Sequence, residues 1–213
     1  PSAFWEPIGY QFSLYGLSDS SVVAAYWLHM LAISVFLFLI PLSKHMHLVM
    51  AVPNVFFHDT GPAAKMRPLA TDEHGLAVPL EELDIDSFGV STYTQYTWRQ
   101  LIDGWSCTSC ARCQDVCPAY ASGKGLNPMQ VIHDVRDYAN EHAPILLSGE
   151  TPDETMMQRI TDEAVWACTT CNACVDVCPL YIEHVPKLTD LRRNAMMETM
   201  EYPEILNLSL IHI

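Results

Sequence analysis

Of the 213 residues, half are hydrophobic, and 25 Asp plus Glu stand against 11 Lys plus Arg, for a formal net charge of −14. This length suits one or two domains. So acidic a balance excludes nucleic acid as a partner, because phosphate binding needs a basic face, and scattered acidic side chains by themselves name no other partner.

Residues 1–19 contain no Lys or Arg and read as an extracytoplasmic loop. Its Trp5, Tyr10, Phe12 and Tyr15 either line a membrane interface or pack on neighbouring helices. Residues 20–41 are predominantly apolar, with no charged side chain from Ser20 up to Lys44. At 1.5 Å of rise per residue the run from Ser20 to Ile40 reaches roughly 31 Å, the thickness of bilayer hydrocarbon, and predicts a transmembrane helix. A signal peptide fits poorly, since its apolar core is shorter and a basic stretch precedes it. A buried core helix is the remaining alternative. Lys44, Lys65 and Arg67 lie on the C-terminal side of the span, so the positive-inside rule places that side in the cytoplasm, on the inner face of the cytoplasmic membrane.

Residues 42–92 read as an interfacial segment and linker. Pro41 to Phe57, interrupted by Pro41 and Pro53, is too short for a second span and suits an interfacial or partner-packed stretch. His29 lies near mid-span, where a histidine is a functional candidate. Axial ligation of a b-type haem is the functional reading, and hydrogen bonding to a neighbouring helix is the structural one. His45 and His47 at the membrane boundary are further haem candidates, or they snorkel to headgroups. His29 and His45 are separated by roughly 24 Å of helix rise, so they cannot both ligate one haem. From Gly61 to Tyr93, Pro62, Pro68, Pro79 and the Asp72–Gly75 turn signal predict a loop with a small hairpin.

From residue 93 to 203 the pattern is helical. Thr94 to Asp103 leads into a cysteine motif. Asn127 is an N-cap with Pro128 at the first helical position, and Val131, Ile132, Val135, Tyr138 and Ala139 then share one face. A capping box at Thr151–Glu154 predicts a helix through Ile160, and Thr161 opens a short one carrying Trp166. Pro186 opens a last helix with Leu188, Leu191 and Ala195 on one stripe. His184, Arg192 and Arg193 read as partner-docking groups or as solvated charges of a helix end. Ser122–Gly125 is a simple turn, and Met156, Met157, Met196, Met197 and Met200 read as core fillers.

The chemistry lies in a block that occurs twice. Trp105, Cys107, Thr108, Cys110, Cys113, Asp115, Val116, Cys117, Pro118 and Tyr120 recur 61 residues later as Trp166, Cys168, Thr169, Cys171, Cys174, Asp176, Val177, Cys178, Pro179 and Tyr181, which accounts for all eight cysteines. C-x2-C-x2-C-x3-C-P is the spacing of 4Fe-4S ligation. Three thiolates at i, i+3 and i+6 point to one side, while the Pro pulls the fourth Cys out of the turn and toward the other cluster. Cys107, Cys110, Cys113 and Cys178 are therefore the expected ligands of cluster 1, and Cys168, Cys171, Cys174 and Cys117 those of cluster 2. Disulfides need an oxidising compartment, and zinc favours paired knuckles far apart in sequence, so both alternatives fit less well. Thr108 and Thr169 are placed to tune the clusters. The fold class predicted is all-α: one transmembrane helix plus an α-helical ferredoxin domain with two 4Fe-4S clusters.

The stretch from Thr97 to Arg136, that from Val165 to Arg193 and the preceding Pro41–Val49 together resemble the heterodisulfide-reductase-related membrane iron-sulfur oxidoreductases, over nearly the whole chain. The resemblance implies a multi-helix cytochrome-like membrane domain, of which residues 20–41 are a remnant, then the helical two-cluster ferredoxin, then a further cysteine-rich part. This chain departs from it by having one span and no cysteine after Cys178, so haem and quinone sites do not carry over residue by residue. The chain reads as a fragment at both ends: it opens on Pro1, and residues 204–213 read as a truncated end, of which 208–213 are adapter-derived. Some members look like quinone reductases fed by electron-transfer flavoprotein. The function implied is a membrane-bound oxidoreductase subunit relaying electrons between a cytoplasmic donor, a flavoprotein or a disulfide/thiol couple, and the quinone pool. The alternatives are the iron-sulfur subunit of a lactate, glycolate or glycerol-3-phosphate dehydrogenase, and a membrane-tethered ferredoxin or redox sensor.

Overall fold

The computed structural model describes residues 19–61, 68, 69, 78, 79, 88–204 and 206, and every regular element among them is helical. The aromatics at positions 5, 10, 12 and 15, nearly all of the expected hairpin, and residues 207–213 lie outside the described residues. The chain divides into two compact units, Pro1–Met46 and His47–Ile213.

In the first unit, α1 (Asp19–Leu39) continues into a single 3-10 turn, Ile40–Leu42, that accommodates Pro41. Side chains from Ser20 to Leu39 are exposed all round the helix. A helix that is apolar on every side has no polar face to offer water, and Ser20–Leu42 is long and apolar enough to cross a membrane. A hydroxyl bond inside it, from Ser34 Oγ to the Met30 carbonyl at 2.8 Å, keeps that polar group satisfied within the helix. His29 lies exposed on α1. His45 Nδ1 is 3.1 Å from Ser43 Oγ, and its ring packs edge-on against Phe36.

The second unit holds α2 (Met46–Phe56) but for its first residue, then α3 (Trp98–Ser106), α4 (Arg112–Asp115), α5 (Pro118–Ala121), α6 (Pro128–Glu141), α7 (Ala143–Ser148), α8 (Met156–Ile160), α9 (Asp162–Ala167), α10 (Ala173–Asp176) and α11 (His184–Asn194). The strut of this unit is α6. Asn127 Oδ1 accepts from the Met129 and Gln130 amides at 3.0 and 3.4 Å, Pro128 follows at the first turn, and the buried face is Val131, Ile132, Val135, Tyr138 and Ala139. Burying each of the branched aliphatics contributes about 1.5–3 kcal/mol. Tyr138 stacks on Tyr93 and donates its hydroxyl to the Glu154 carbonyl at 2.6 Å. Close approach of α3 and α6 is possible because of Gly104, where a Cβ would stand 3.1 Å from Arg136 Cβ.

Two boundaries differ from expectation. The helix ending at Ile160 starts at Met156, with its capping box formed by Thr155 and Gln158 rather than by Thr151 and Glu154. Pro152 does not open a helix, and Tyr138 instead fixes the segment through the Glu154 carbonyl. The last helix starts at His184, two residues before Pro186, which fits because Pro is tolerated in the first turn. Leu188, Leu191 and Ala195 are buried, as is Met156, whereas Met197 and Met200 are exposed.

Residues 88–90 dock on α11. Val90 N donates to the Asp190 carbonyl at 3.0 Å and Asn194 Nδ2 to the Phe88 carbonyl at 3.2 Å. Between them Gly89 has φ +71°, and a Cβ there would meet the Asp190 carbonyl oxygen at 2.1 Å and the Asn194 nitrogen at 2.6 Å. Gly89→Ala is expected to lower stability by about 2–4 kcal/mol, since the left-handed backbone alone costs about 1–2 kcal/mol. Thermal denaturation measures it, and a change below about 0.5 kcal/mol would contradict this packing.

Candidate iron-sulfur centres

Each cysteine motif begins where a helix is stopped. Cys107 ends α3 and Cys168 ends α9 in the same extended conformation, with ψ of 124° and 125°. Both loops then use left-handed residues at matching places, Ser109 and Ala111 at φ 57° and 63°, Thr170 and Asn172 at φ 55° and 60°. Such a backbone costs about 1–2 kcal/mol for each non-glycine residue, which persists where the surroundings impose it, commonly at functional sites. It turns the amides inward: Ser109 N reaches Cys107 Sγ, and Thr170 N reaches Cys168 Sγ, at 3.4 Å each. The third thiol of each motif sits in the short α4 or α10, and the fourth precedes a proline.

Two cavities result, each of about 330 Å³ counted to its mouth. The first is lined by Cys107, Cys110, Cys113 and Cys178, with Thr108 and Met129 among its other walls. The second is lined by Cys117, Cys168, Cys171 and Cys174, with Thr169 and Leu188 beside them. Each thus takes three cysteines from one motif and one from the other, and α4 packs against α10 between the motifs. All eight are free thiols. Among the described residues no three Cys, His, Asp or Glu side chains form a group tight enough for a single metal ion. Four soft thiolate donors around a cavity fit a cluster.

The electrostatics record the same arrangement. Burial raises the Cys113 thiol to about 12, with Cys107, Cys178 and Cys110 adding to the rise. Burial likewise raises Cys174 to about 12, and the thiols that add to it are Cys168, Cys113, Cys117 and Cys171. Cys113 belongs to the first cavity, so the two thiol sets are near neighbours. Backbone amides oppose the rise at four sulfurs: Ser109 at Cys107, Gln114 at Cys113, Thr170 at Cys168, and Ile182 with Leu180 at Cys178. Thiolates crowded in this way need a cationic iron core to be held ionised together.

Beside the first cavity lies a buried polar network that sequence patterning did not reveal. Asp103, fully buried, accepts from Lys187 Nζ, from Arg99 at 3.1 Å, from Asn54 Nδ2 at 3.1 Å and from the Glu183 amide at 3.3 Å. Asn54 also donates to the Leu180 carbonyl at 3.0 Å, and Arg99 donates to Asn54 Oδ1 and to the carbonyls of Phe57 and Tyr181. Ser106 Oγ donates to the Met50 carbonyl at 2.9 Å. The stretch read as interfacial thus docks one side of α2 on the motif domain, through a lone polar Asn54 in an apolar helix, which was the available signal. Its other side, with Leu48, Val49, Val52 and Phe56, is exposed, as are Phe57 and Trp98.

Three groups read as docking or solvated side chains have other roles. Arg192 donates to the Val165 carbonyl at 2.6 Å and the Cys168 carbonyl at 2.5 Å, over the Trp166 ring, which ties α11 to the start of the second motif. Arg193 pairs with Asp190 at 3.1 Å. His184 is 2 % exposed, its Nδ1 has no hydrogen-bond partner, and it lines both cavities. Burial, and then the Lys187 charge, hold its pKa down at about 4, against Asp103 and the Ile182 backbone, so the ring is uncharged at neutral pH. One asymmetry separates the motifs: His133 Nε2 stands 3.0 Å from Ser109 Oγ and 3.8 Å from Cys107 Sγ.

Residues 99–179 match the family model of the 4Fe-4S dicluster domain. The chain is 32% identical over 201 residues to an EtfAB:quinone oxidoreductase of Syntrophomonas wolfei, covering 84% of this chain and 27% of that one. It is 35% identical over 145 residues to a probable membrane-anchored ferredoxin of Chromohalobacter salexigens, with 58% and 22% covered. One polypeptide of the ferredoxin:CoB-CoM heterodisulfide reductase of Methanosarcina mazei is 33% identical over 105 residues, with 48% and 53% covered. The chain spans about a quarter of the length of the first two and about half of the third. No solved structure matches it significantly.

Proposed function

We infer, from a chain that carries a 4Fe-4S dicluster domain, that it is the electron-relay part of a membrane-bound oxidoreductase passing electrons between a cytoplasmic donor and the quinone pool. The observation that carries this reading is the pair of adjacent cavities, each lined by four thiols drawn three and one from the two motifs. Cys107, Cys110, Cys113 and Cys178 would hold one cluster, and Cys168, Cys171, Cys174 and Cys117 the other. A 4Fe-4S cluster supplies one-electron exchange at a potential set by its charge, hydrogen bonds and burial. The protein's part is to fix two such centres close together, to present amides to their sulfurs, and to keep water from the inner walls with Met129, Leu126 and Leu188. Crossed ligation makes each motif a structural part of the other centre.

Quinone as acceptor and electron-transfer flavoprotein as donor are taken from the name of the Syntrophomonas relative. The apolar helix α1 supports attachment to a membrane, and the exposed apolar side of α2 suits its lipid interface. The motif domain then faces the cytoplasm, where thiols stay reduced. Haem b would be a companion cofactor, with His29, His45 and His47 as this chain's candidate ligands, and a Soret band tests it. The membrane-anchored ferredoxin relative favours one second reading, a tethered carrier without quinone turnover.

Protein purified without oxygen is expected to contain about eight iron and eight acid-labile sulfide atoms per chain, and two magnetically interacting signals on reduction. Colourless, iron-free protein would end this reading. Reduction of a soluble quinone by reduced flavoprotein, present or absent in the full-length gene product, separates the oxidoreductase from the carrier.

A further inference from the structure

The first and second cavities share one wall residue among the described side chains that carry an ionisable group, His184. It opens α11, and the chain delivers it there from Cys178 through Leu180 and Ile182, both of which line the first cavity. From the next turn, Val185 and Leu188 line the second. The ring is 2 % exposed and its Nδ1 has no hydrogen-bond partner in the protein. A buried, unpartnered polar atom costs about 1–3 kcal/mol and calls for an explanation. The neighbouring polar groups are already engaged: Asp103 accepts from Arg99, Asn54 and Lys187, and Lys187 also donates to the Glu183 carbonyl at 3.0 Å. Beyond the Ile182 backbone, what the ring can reach lies in the cavities, whose walls are thiols and apolar side chains together with Thr108, Arg112, Thr169 and Asn172.

We propose that His184 is a positioning residue shared by the two clusters: its ring N–H donates to a sulfur of one of them and so holds the two potentials apart. This inference rests on the cluster-binding reading above. A hydrogen bond to a cluster sulfur stabilises the reduced, more negative state and raises that cluster's potential. One ring set between two cavities cannot present an N–H to both with the same geometry, so it stabilises one cluster in this way more than the other. The two motifs are otherwise near copies, as their matching φ values record. A single imidazole between them breaks that equivalence, along with His133 at the outer side of Cys107.

The test is a redox titration of the anaerobically purified full chain, followed by the EPR signals of both clusters. His184→Leu is expected to retain full iron and sulfide while shifting the electron-sharing equilibrium between the clusters about tenfold, which is ~59 mV for a one-electron couple. His184→Gln, which keeps an N–H, is expected to recover part of that shift. Full cluster content with both midpoints unmoved in His184→Leu would overturn the proposal and leave the cluster reading intact. Should both variants lose iron, histidine-15N-labelled His133→Ala protein decides: a nitrogen hyperfine coupling on a reduced-cluster signal supports the proposal, and its absence overturns it. Iron-free wild-type protein would instead remove the reading on which the proposal stands.

Discussion

Cys178→Ala is expected to abolish the cluster held by Cys107, Cys110 and Cys113, and to spare the one held by the cysteines next to it in sequence. The reason is spatial: Cys178 lines the first cavity, while Cys168, Cys171 and Cys174 line the second with Cys117. A cubane left with three thiolates and an open corner is labile. Iron should therefore fall by about half, from about eight to about four per chain, and the surviving signal should match that of Cys110→Ala. Cys117→Ala should give the complementary spectrum, matching Cys171→Ala. If Cys178→Ala matched Cys171→Ala instead, the crossed arrangement would be wrong. Loss of the magnetic interaction between the signals is a second readout, since that interaction needs both centres in one molecule.

Asp103→Ala should cost the second unit about 3–5 kcal/mol, the range for removing one partner of a buried ion pair. This carboxylate is the hub of the network, accepting from Lys187, Arg99, Asn54 and the Glu183 amide. Lys187 and Asp103 are both completely buried. Removing Asp103 leaves two cations in low dielectric without the carboxylate that both of them contact. A domain of this size has a total stability of about 5–15 kcal/mol, so the melting temperature should drop on the order of 10–20 °C. Lys187→Met should cost less, because Asp103 keeps Arg99 and Asn54 as partners. Equal losses for the two substitutions, or a loss below about 1 kcal/mol for Asp103→Ala, would show that the hub has been misplaced. The network also joins α2 to α3 and α11, so Asp103→Ala should loosen α2, read as faster amide exchange from Val49 to Val55.

Local patterns were legible in the chain wherever one short-range rule decides the outcome. The helix at Pro128–Glu141 follows from Asn127, Pro128 and an apolar repeat, and its buried face is the one that the repeat indicates. The helix from Asp19 follows from an uninterrupted apolar run. The start at Met156 was missed because two capping boxes compete within five residues, and contacts of Glu154 with Tyr138 and His142 decided between them.

By itself the sequence pointed to the chemistry: eight cysteines at 4Fe-4S spacing, duplicated with an offset of 61, agree with the 4Fe-4S dicluster family model that residues 99–179 match. It also determined the helical class, because periodicity and capping act within a few residues of each other. Only the tertiary structure decided what surrounds the thiols. Asp103 meets Lys187 across 84 residues, Asn54 reaches Leu180 across 126, and His184 lies against two cavities rather than in solvent. Polar side chains carry no periodic signal when they are buried singly. Their partners are set by the packing of distant helices, which no window along the chain contains.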